Sequence, residues 1–580
     1  MNTTSKKIFL FLALYMLSLS AFAINIYPID RAQILSGSKF DIKVELDEVN
    51  ENALSKITIN GKQLSQLFGK GPEVIINEEG KGSSFIWRDV SISNPGSYEL
   101  VFQRETESFR VKWEIYSTGP RKIKNIVLFI GDGMTIANRT AARVLSRGIK
   151  EGKYLDKLSF DNMPYTALIG TSGVDSLITD SANSMSAYST GHKSSINAMG
   201  VYVSRSKDNL AHPKVENILE IIKRKTNMAV GIVTDTELVD ATPAAMVAHT
   251  RRRAEKQYIA DQLLSSKADV ILGGGGAYFY PQSSKGSKRQ DENNLVDLFK
   301  KGGYEFVNSR EGLVEISNKT NTIKLFGIFH PDNMDGALDR FVLKANTVKD
   351  YPNQPDLSEM TQAAINTLSK NPNGFFLMVE AGLIDKFNHS LDWERAAFDT
   401  IMLSNAVDVA KKFARKNPNT LVIVVPDHTH SGSISGVVND LKSGALKEKV
   451  GTYADAGYPN YPKANVFGYP EKIDVEKRLA FFYGNYPDHY ETMHPKLDGT
   501  FVPAIKNDQQ QFIANPKYKQ LQEDAIHITG NLPYQQEHGV HTADDAVLNA
   551  VGPGGDKFKG FMDNTEVFKV MVDLLGLGKK

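Results

Sequence analysis

The sequence predicts a large α/β domain on a mainly parallel sheet with helices on both faces, preceded by a small all-β sandwich. Three observations carry this reading. Beyond residue 120, short fully apolar runs (Ile126 to Ile130, Ala229 to Val233, Val270 to Leu272, Phe375 to Val379, Leu421 to Val425) alternate with longer amphipathic stretches. That is the grammar of buried parallel strands joined by crossover helices. Before residue 117 the chain instead shows short alternating or aromatic-rich strands between turns. The composition, 41% hydrophobic and 23% charged over 580 residues, is that of folded soluble protein, and the length suits more than one unit.

The N-terminus reads as a secretory signal. Lys6 and Lys7 precede an apolar run over 8–19 that closes on Ala21-Phe22-Ala23, a small-x-small cleavage pattern. The run falls short of the roughly 20 residues that a spanning helix needs, so residues 1–23 are expected to be removed and no stable membrane span to remain. Loss of the two lysines takes the net charge from +1 to −1. The expected product is exported, periplasmic or secreted.

Residues 24–116 follow as an immunoglobulin-like β-sandwich, with strands over Phe40 to Leu46, Lys56 to Ile59, Ser84 to Ile92, Ser97 to Arg104 and Phe109 to Tyr116. Residues 117–120, ending Gly119-Pro120, form the linker. No candidate ligand precedes Asp132, so the sandwich is expected to be dispensable for chemistry. Residues 121–580 form the large α/β domain, in which Phe398, Met402, Ala406, Val409 and Phe413 recur at helical spacing. The 431–537 stretch, rich in Tyr, Pro and Gly, is too long for a plain loop and reads as an insertion.

Charge and cysteine content exclude several functions. Lys+Arg 68 against Asp+Glu 67 leaves no global field to recruit nucleic acid. With no cysteine there is no thiol catalysis, no Cys-ligated metal and no disulfide, so any metal must be held by His, Asp and Glu.

Ligands of open α/β sheets gather beyond the carboxyl ends of the strands. Three strands end there in Gly131-Asp132-Gly133, in Glu380 and in Pro426-Asp427-His428. Asp385 and His389, four apart, suit one face of a turn or helix, and Asp427-His428-Thr429-His430 adds another O,N pair. Carboxylates and imidazoles converging from three strand ends need cations to balance them. Ser181 opens a helical pattern, where it serves either as a plain N-cap or as a hydroxyl beside an anion held at the helix start. No Gly-x-Ser-x-Gly elbow surrounds it, so metal activation fits better than a hydrolase triad.

These residues and their order resemble the alkaline phosphatases. The match is collinear from about Lys124 to Leu577. It runs through the Asn125 to Met134 strand and turn, Thr179-Asp180-Ser181-Ala182, Asp240-Ala241-Thr242-Pro243-Ala244-Ala245, His249 to Arg253, Val379-Glu380 with Ile384-Asp385-Lys386 and His389, Asp427-His428, and His541-Thr542-Ala543. The resemblance implies an alkaline-phosphatase-like fold, a homodimer, and hydrolysis of small phosphate monoesters through a phosphoserine on Ser181. It implies two zinc ions and one magnesium. The first zinc would be held by Asp385, His389 and His541, and the second by Asp132, Asp427 and His428 with Ser181 as a transient ligand. The magnesium would be held by Asp132, Thr242 and Glu380. Asp240 and Lys386 would act through water beside the magnesium, Arg253 would clamp the phosphate, and His430 would orient a ligand carboxylate. Nitrogen-rich sites suit zinc and oxygen-only sites suit magnesium.

Thr135 and Pro426 depart from the usual family pattern, and His538 competes with His541, which is preferred because His-Thr-Ala-Asp-Asp fits the motif. The 431–537 insertion resembles the crown of larger family members. A phosphodiesterase of the same superfamily and a zinc-holding surface adhesin are the alternatives. A sulfatase is disfavoured by the absence of Cys and of a Ser-x-Pro-x-Arg pattern after Ser181.

Overall fold

The structure is a computed structural model of the full chain and describes residues 24–105, 107–319 and 321–578. The expected signal segment lies outside the described residues. Among them, no helix is long and apolar enough to cross a membrane. The chain divides into two compact units, one running up to Tyr116 and including Tyr202–Val215, the other made of Ser117–Val201 and the chain from Glu216 onward.

The smaller unit is built from two sheets around one apolar core. In one, strands Asn25–Tyr27, Lys39–Glu45, Ser84–Ser91 and Glu73–Ile75 lie side by side in that order, all antiparallel. In the other, Gln33–Leu35 pairs parallel with Glu107–Tyr116, followed by Gly96–Arg104, Ile57–Ile59 and Lys62–Gln63. Trp87 from the first sheet and Trp113 from the second are both fully buried in the shared core, and Trp113 Nε1 donates to the Pro28 carbonyl at 3.1 Å.

Strand Lys39–Glu45 has two buried faces. Phe40, Ile42 and Val44 enter the sandwich core, while the alternate residues Asp41, Lys43 and Glu45 are buried as well. The second face is covered by the 202–215 segment. The Asp41 amide donates to the Lys214 carbonyl, and the Lys43 ammonium reaches Glu78 Oε1 at 2.8 Å, Glu45 Oε1 at 2.9 Å and Ser204 Oγ at 3.1 Å. The sequence reading assigns 202–215 to the larger domain. Tyr202 and Val215 at its ends join the sandwich core, and the contacts between them are largely polar and lack an apolar period, so no pattern in the segment reveals them.

The larger unit is organised by a ten-stranded sheet. Its strands in chain order are β1 (Asn125–Gly131), β2 (Tyr165–Gly170), β3 (Ala229–Glu237), β4 (Val270–Gly274), β5 (Glu305–Val307), β6 (Leu325–Ile328), β7 (Phe375–Ala381), β8 (Thr420–Val425), β9 (Ala546–Val551) and β10 (Gly560–Asp563). Their spatial order is β5-β6-β4-β3-β7-β1-β8-β9-β2-β10. All neighbours pair parallel except where β9 runs antiparallel to β8 and β2. The apolar runs that predict β1, β3, β4, β7 and β8 are buried throughout.

The long helix Trp393–Lys416, capped by Asp392, buries Phe398, Met402 and Ala406 against the sheet, with Val409 and Phe413 partly buried. The 431–537 insertion has a sheet of its own, in which Gly432–Asn439 pairs with Lys477–Tyr483 and Val450–Gly451. Two further strand pairs lie between 489 and 528.

Candidate active site

The register of the central strands brings the three carboxylates together. Ile130 in β1 is the partner of Glu380 in β7 on one side and of Val425 in β8 on the other, so Asp132, Glu380 and Asp427 leave at adjacent strand ends. All three are buried. Asp385 and His389 lie one turn apart on the Leu383–His389 helix that follows β7, with His389 Nε2 at 3.4 Å from Asp385 Oδ1. His541 enters from a two-stranded ladder with Thr429–His430, its Nε2 at 3.4 Å from the same oxygen.

The protonation of two histidines is set by their carbonyl partners. His389 Nδ1 donates to the Gly539 carbonyl at 2.7 Å, and His541 Nδ1 to the Thr179 carbonyl at 2.8 Å. A neutral ring then presents its Nε2 lone pair, and these two Nε2 atoms face each other at 3.0 Å. Two lone pairs at that distance repel unless a cation or a proton lies between them. Donor atoms of Asp385, His389, His430 and His541 all fall within 4.8 Å of one another, and so do those of Asp132, Asp385 and His428. Asp132 Oδ1 and Asp427 Oδ2 are buried without a hydrogen-bond donor, at 3.2 and 3.4 Å from His428 Nε2. The donor set therefore fits metal ions.

These two clusters overlap the expected zinc ligand sets and differ from them in two respects. His430, expected to orient a ligand, lies inside the first cluster, with Nε2 at 2.7 Å from Asp385 Oδ1. In the tight cluster around His428 the carboxylate joining Asp132 is Asp385, while Asp427 Oδ1 accepts the amides of Gly133 and His428. His538 is outside both clusters, with its ring 4.7 Å from that of His389. Gly133 has φ +61°, and a Cβ there would lie 2.8 Å from the His430 ring and 2.9 Å from Asp385 Oδ1, so only glycine lets the turn approach.

Ser181 is the first residue of the wholly buried helix Ser181–Thr190, but it is not the cap. Asp180 is, accepting the Asn183 amide while the Asn183 side chain accepts the Asp180 amide. This frees the Ser181 hydroxyl to point at the site, where Oγ lies 3.2 Å from His428 Nε2. Arg253 is held by Asp240 Oδ1 at 2.7 Å and Asp180 Oδ2 at 3.4 Å, and Lys386 Nζ lies 2.8 Å from Asp240 Oδ2. Thr242 Oγ1 donates to Asp132 Oδ2 at 3.2 Å.

The family model for alkaline phosphatase matches residues 123–577. The chain belongs to the alkaline phosphatase family. It is 35% identical to the alkaline phosphatase of Escherichia coli (strain K12) over 401 residues, covering 62% of this chain and 80% of that protein. It is 30% identical to alkaline phosphatase 3 of Bacillus subtilis (strain 168) over 468 residues, 77% of this chain and 88% of that one. Among solved structures, its fold is similar to that of Thermus thermophilus alkaline phosphatase, with TM-score 0.56 and 24% identity over 80% of this chain and 93% of that chain.

The electrostatics of this alkaline phosphatase are those of a centre built for cations. Burial pushes the Glu380 carboxyl well above its usual range, and the nearby Asp132 pushes it further; Asp427 is raised by burial, Asp132 and Asp385. Burial also disfavours charge on Asp240, but Lys386 and Arg253 outweigh it and hold Asp240 well below the usual range. Burial alone would lower Lys386 and Arg253; Asp240, with Asp385 for the lysine and Asp180 for the arginine, keeps both firmly charged. Burial takes His430 down to about 4.

Several supporting residues escape a sequence reading. Thr234 and Thr236 of β3 both donate to Glu380 Oε2, the latter at 3.1 Å, yet threonines in a strand read only as β-formers. Asn388 Nδ2 donates to the Gly133 carbonyl at 3.1 Å, and the Tyr483 hydroxyl of the insertion donates to Asn388 Oδ1 at 2.9 Å. Asp180 was visible only as a neighbour of Ser181.

Proposed function

We propose that this alkaline phosphatase hydrolyses phosphate monoesters by transferring the phosphoryl group to Ser181 and then to water. The observation that carries the reading is the Ser181 hydroxyl, 3.2 Å from His428 Nε2, beside two His/carboxylate clusters and the Arg253 fork. Asp385, His389 and His541 would hold one zinc, Asp132, Asp427 and His428 a second, and Asp132, Thr242 and Glu380 a magnesium. Bound there, the metals supply Lewis-acid stabilisation and lower the pKa of the attacking and leaving oxygens.

The chain's own residues do the rest. Asp180 caps the helix in place of Ser181, which leaves the Ser181 hydroxyl available as nucleophile. Arg253, kept charged and oriented by Asp240 and Asp180, binds two nonbridging phosphate oxygens through its planar fork. Lys386 neutralises Asp240, and with it would hold water at the third site. The third site of Asp132, Thr242 and Glu380 together with the arginine fork favours a monoester over a diester, because a diester has only two nonbridging oxygens for the fork and the metal sites to share. A mutant TAB5 alkaline phosphatase, with TM-score 0.51 to this chain, is described with Mg bound in its M3 site, which accords with a magnesium here.

We further read the protein as exported after cleavage at Ala23, on the N-terminal Lys6-Lys7, apolar run and Ala21-Phe22-Ala23 pattern, and as a homodimer, on family resemblance. Residues 24–116 make an immunoglobulin-like module, a reading supported by the strand order of the two sheets. The deciding experiment compares turnover of 4-nitrophenyl phosphate with its bis-ester and traps the phosphoenzyme for mass spectrometry. Faster turnover of the monoester with phosphate on Ser181 is expected. Preference for the diester, or phosphate on another residue, would overturn the reading.

A further inference from the structure

A cavity of about 250 Å³ lies between the start of the Trp393–Lys416 helix and the insertion, and none of the expected metal ligands, nor Ser181, Asp240, Arg253 or Lys386, lines it; Tyr483, which supports Asn388, is shared. Its walls are aromatic: Trp393 stacks on Phe481 at 5.4 Å with the planes 4° apart, Phe481 packs on Tyr483 at 5.2 Å, and Phe501 sets an edge against His489. Glu394, next to Trp393 on the helix, also lines it and is only 8% exposed.

The charged groups around the cavity are accounted for, with one exception. Arg478 is bound to Asp440 Oδ2 at 2.6 Å. Lys496 donates to Thr492 Oγ1 and to the His494 carbonyl, and its ammonium lies 4.9 Å from the Phe501 ring centre. Glu491 accepts the Met493 amide at 2.6 Å, His494 pairs with Asp474 at 2.9 Å, and His489 Nδ1 is bonded to the Pro487 carbonyl. Among the described residues, the Glu394 carboxyl has no hydrogen bond or ion pair to any other residue. Burial first, then Asp392, push it up to about 8, against a partial offset from Lys496.

A buried carboxyl without a partner is costly, and aromatic faces attract cations. One ligand group satisfies both demands. We propose that the cavity binds a small organic ammonium compound, an amine with a compact apolar body, with Glu394 as its counter-ion. An anion would meet Glu394 and Glu491 and the negative faces of the rings. The volume equals about eight waters at roughly 30 Å³ each, which sets the ligand at about eight heavy atoms. The inference goes beyond phosphate ester hydrolysis and does not rest on it.

The test is calorimetric titration of the full chain at about pH 8.5, above the Glu394 value of about 8 so that the carboxylate form prevails while the amine stays charged, with benzylammonium as ligand and benzyl alcohol and benzoate as comparators, alone and with saturating inorganic phosphate. The expected result is saturable one-to-one binding of benzylammonium, about tenfold or more tighter than either comparator and unaffected by phosphate. In Glu394→Gln, which keeps the shape of the side chain, affinity should fall about tenfold. Phe481→Leu should weaken binding in a protein that keeps Glu394. No saturation, equal binding of benzyl alcohol, unchanged affinity in Glu394→Gln, or displacement by phosphate would each overturn the proposal. The wild-type ligand series decides the question even if a variant fails to fold.

Discussion

His541 lies directly opposite His430 in a two-stranded antiparallel ladder, although the whole 431–537 insertion separates them in sequence. The ladder lets the chain leave the site to build the insertion and return in register, with the His541 ring 5.0 Å from that of His430. The same ladder leaves His538 outside the donor cluster, half-exposed beside Glu537.

His541→Ala should therefore lower the metal content of the purified protein, and His538→Ala should leave it unchanged. Metal analysis by plasma mass spectrometry reads the difference directly. The reverse pattern would assign the ligand to His538.

Ser181→Ala should abolish the phosphoenzyme and cut turnover by roughly 10³-fold or more while leaving the metal content nearly intact. Asp180 makes the helix cap, so the substitution removes no capping bond. A melting temperature close to that of the wild type should accompany the loss. Retained phosphoenzyme would place the nucleophile elsewhere.

Asp240 and Lys386 form a charged pair 2.8 Å apart beside Thr242 and do not reach the histidine clusters as ligands. An ammonium and a carboxylate hold water around a hard cation, whereas imidazoles bind zinc directly. Asp240→His combined with Lys386→His should shift the third site from magnesium towards zinc and reduce the activation gained on adding magnesium. Unchanged metal stoichiometry and an unchanged magnesium response would remove these residues from that role.

Much of the central sheet was legible because β1, β3, β4, β7 and β8 are buried on both faces and therefore continuously apolar. β9 was missed because Asn549 interrupts its apolar run, and that Asn is retained to accept a hydrogen bond from buried Arg139 at 2.5 Å. β2 alternates buried with exposed or half-buried positions over six residues, too short a signal to stand out. The site carboxylates and histidines were legible because chemistry restricts them to few residue types. Thr234, Thr236 and Asn388 were not, since their role exists only once β3, β7 and the Gly131–Gly133 turn are side by side.

Lys43 is fully buried between Glu45 and Glu78, with the 202–215 segment laid over it. Lys43→Met would remove one of the two cations that Glu45 and Glu78 share, leaving Arg205 at 3.6 and 3.4 Å from them, a loss on the order of 1.5–3 kcal/mol. The expected result is an early unfolding step of the smaller unit in calorimetry. By the same logic a chain starting at Arg121 should not keep full stability, because 202–215 would lose the strand Lys39–Glu45 on which it packs. A truncated chain that melts like the wild type would restore the simpler view of the sandwich as a detachable module.

Glu394 predicts a pH dependence of stability with a definite sign. Its folded-state pKa, about 8, lies above the unfolded value of about 4.3. Between those values the unfolded chain has released a proton that the folded chain still holds, so stability falls as pH rises across the window, by at most about 1.4 kcal/mol per pH unit. Below the window both states are protonated, and above it both are ionised, so the contribution is flat on either side. Asp392 and Glu491 reinforce the effect and Lys496 opposes it. Gln at 394 has no proton to release, so Glu394→Gln should gain stability over the wild type as pH is raised from about 5 to about 8. Urea unfolding of both proteins at the two pH values measures it, and parallel stability curves would show that the carboxyl is already ionised in the folded chain.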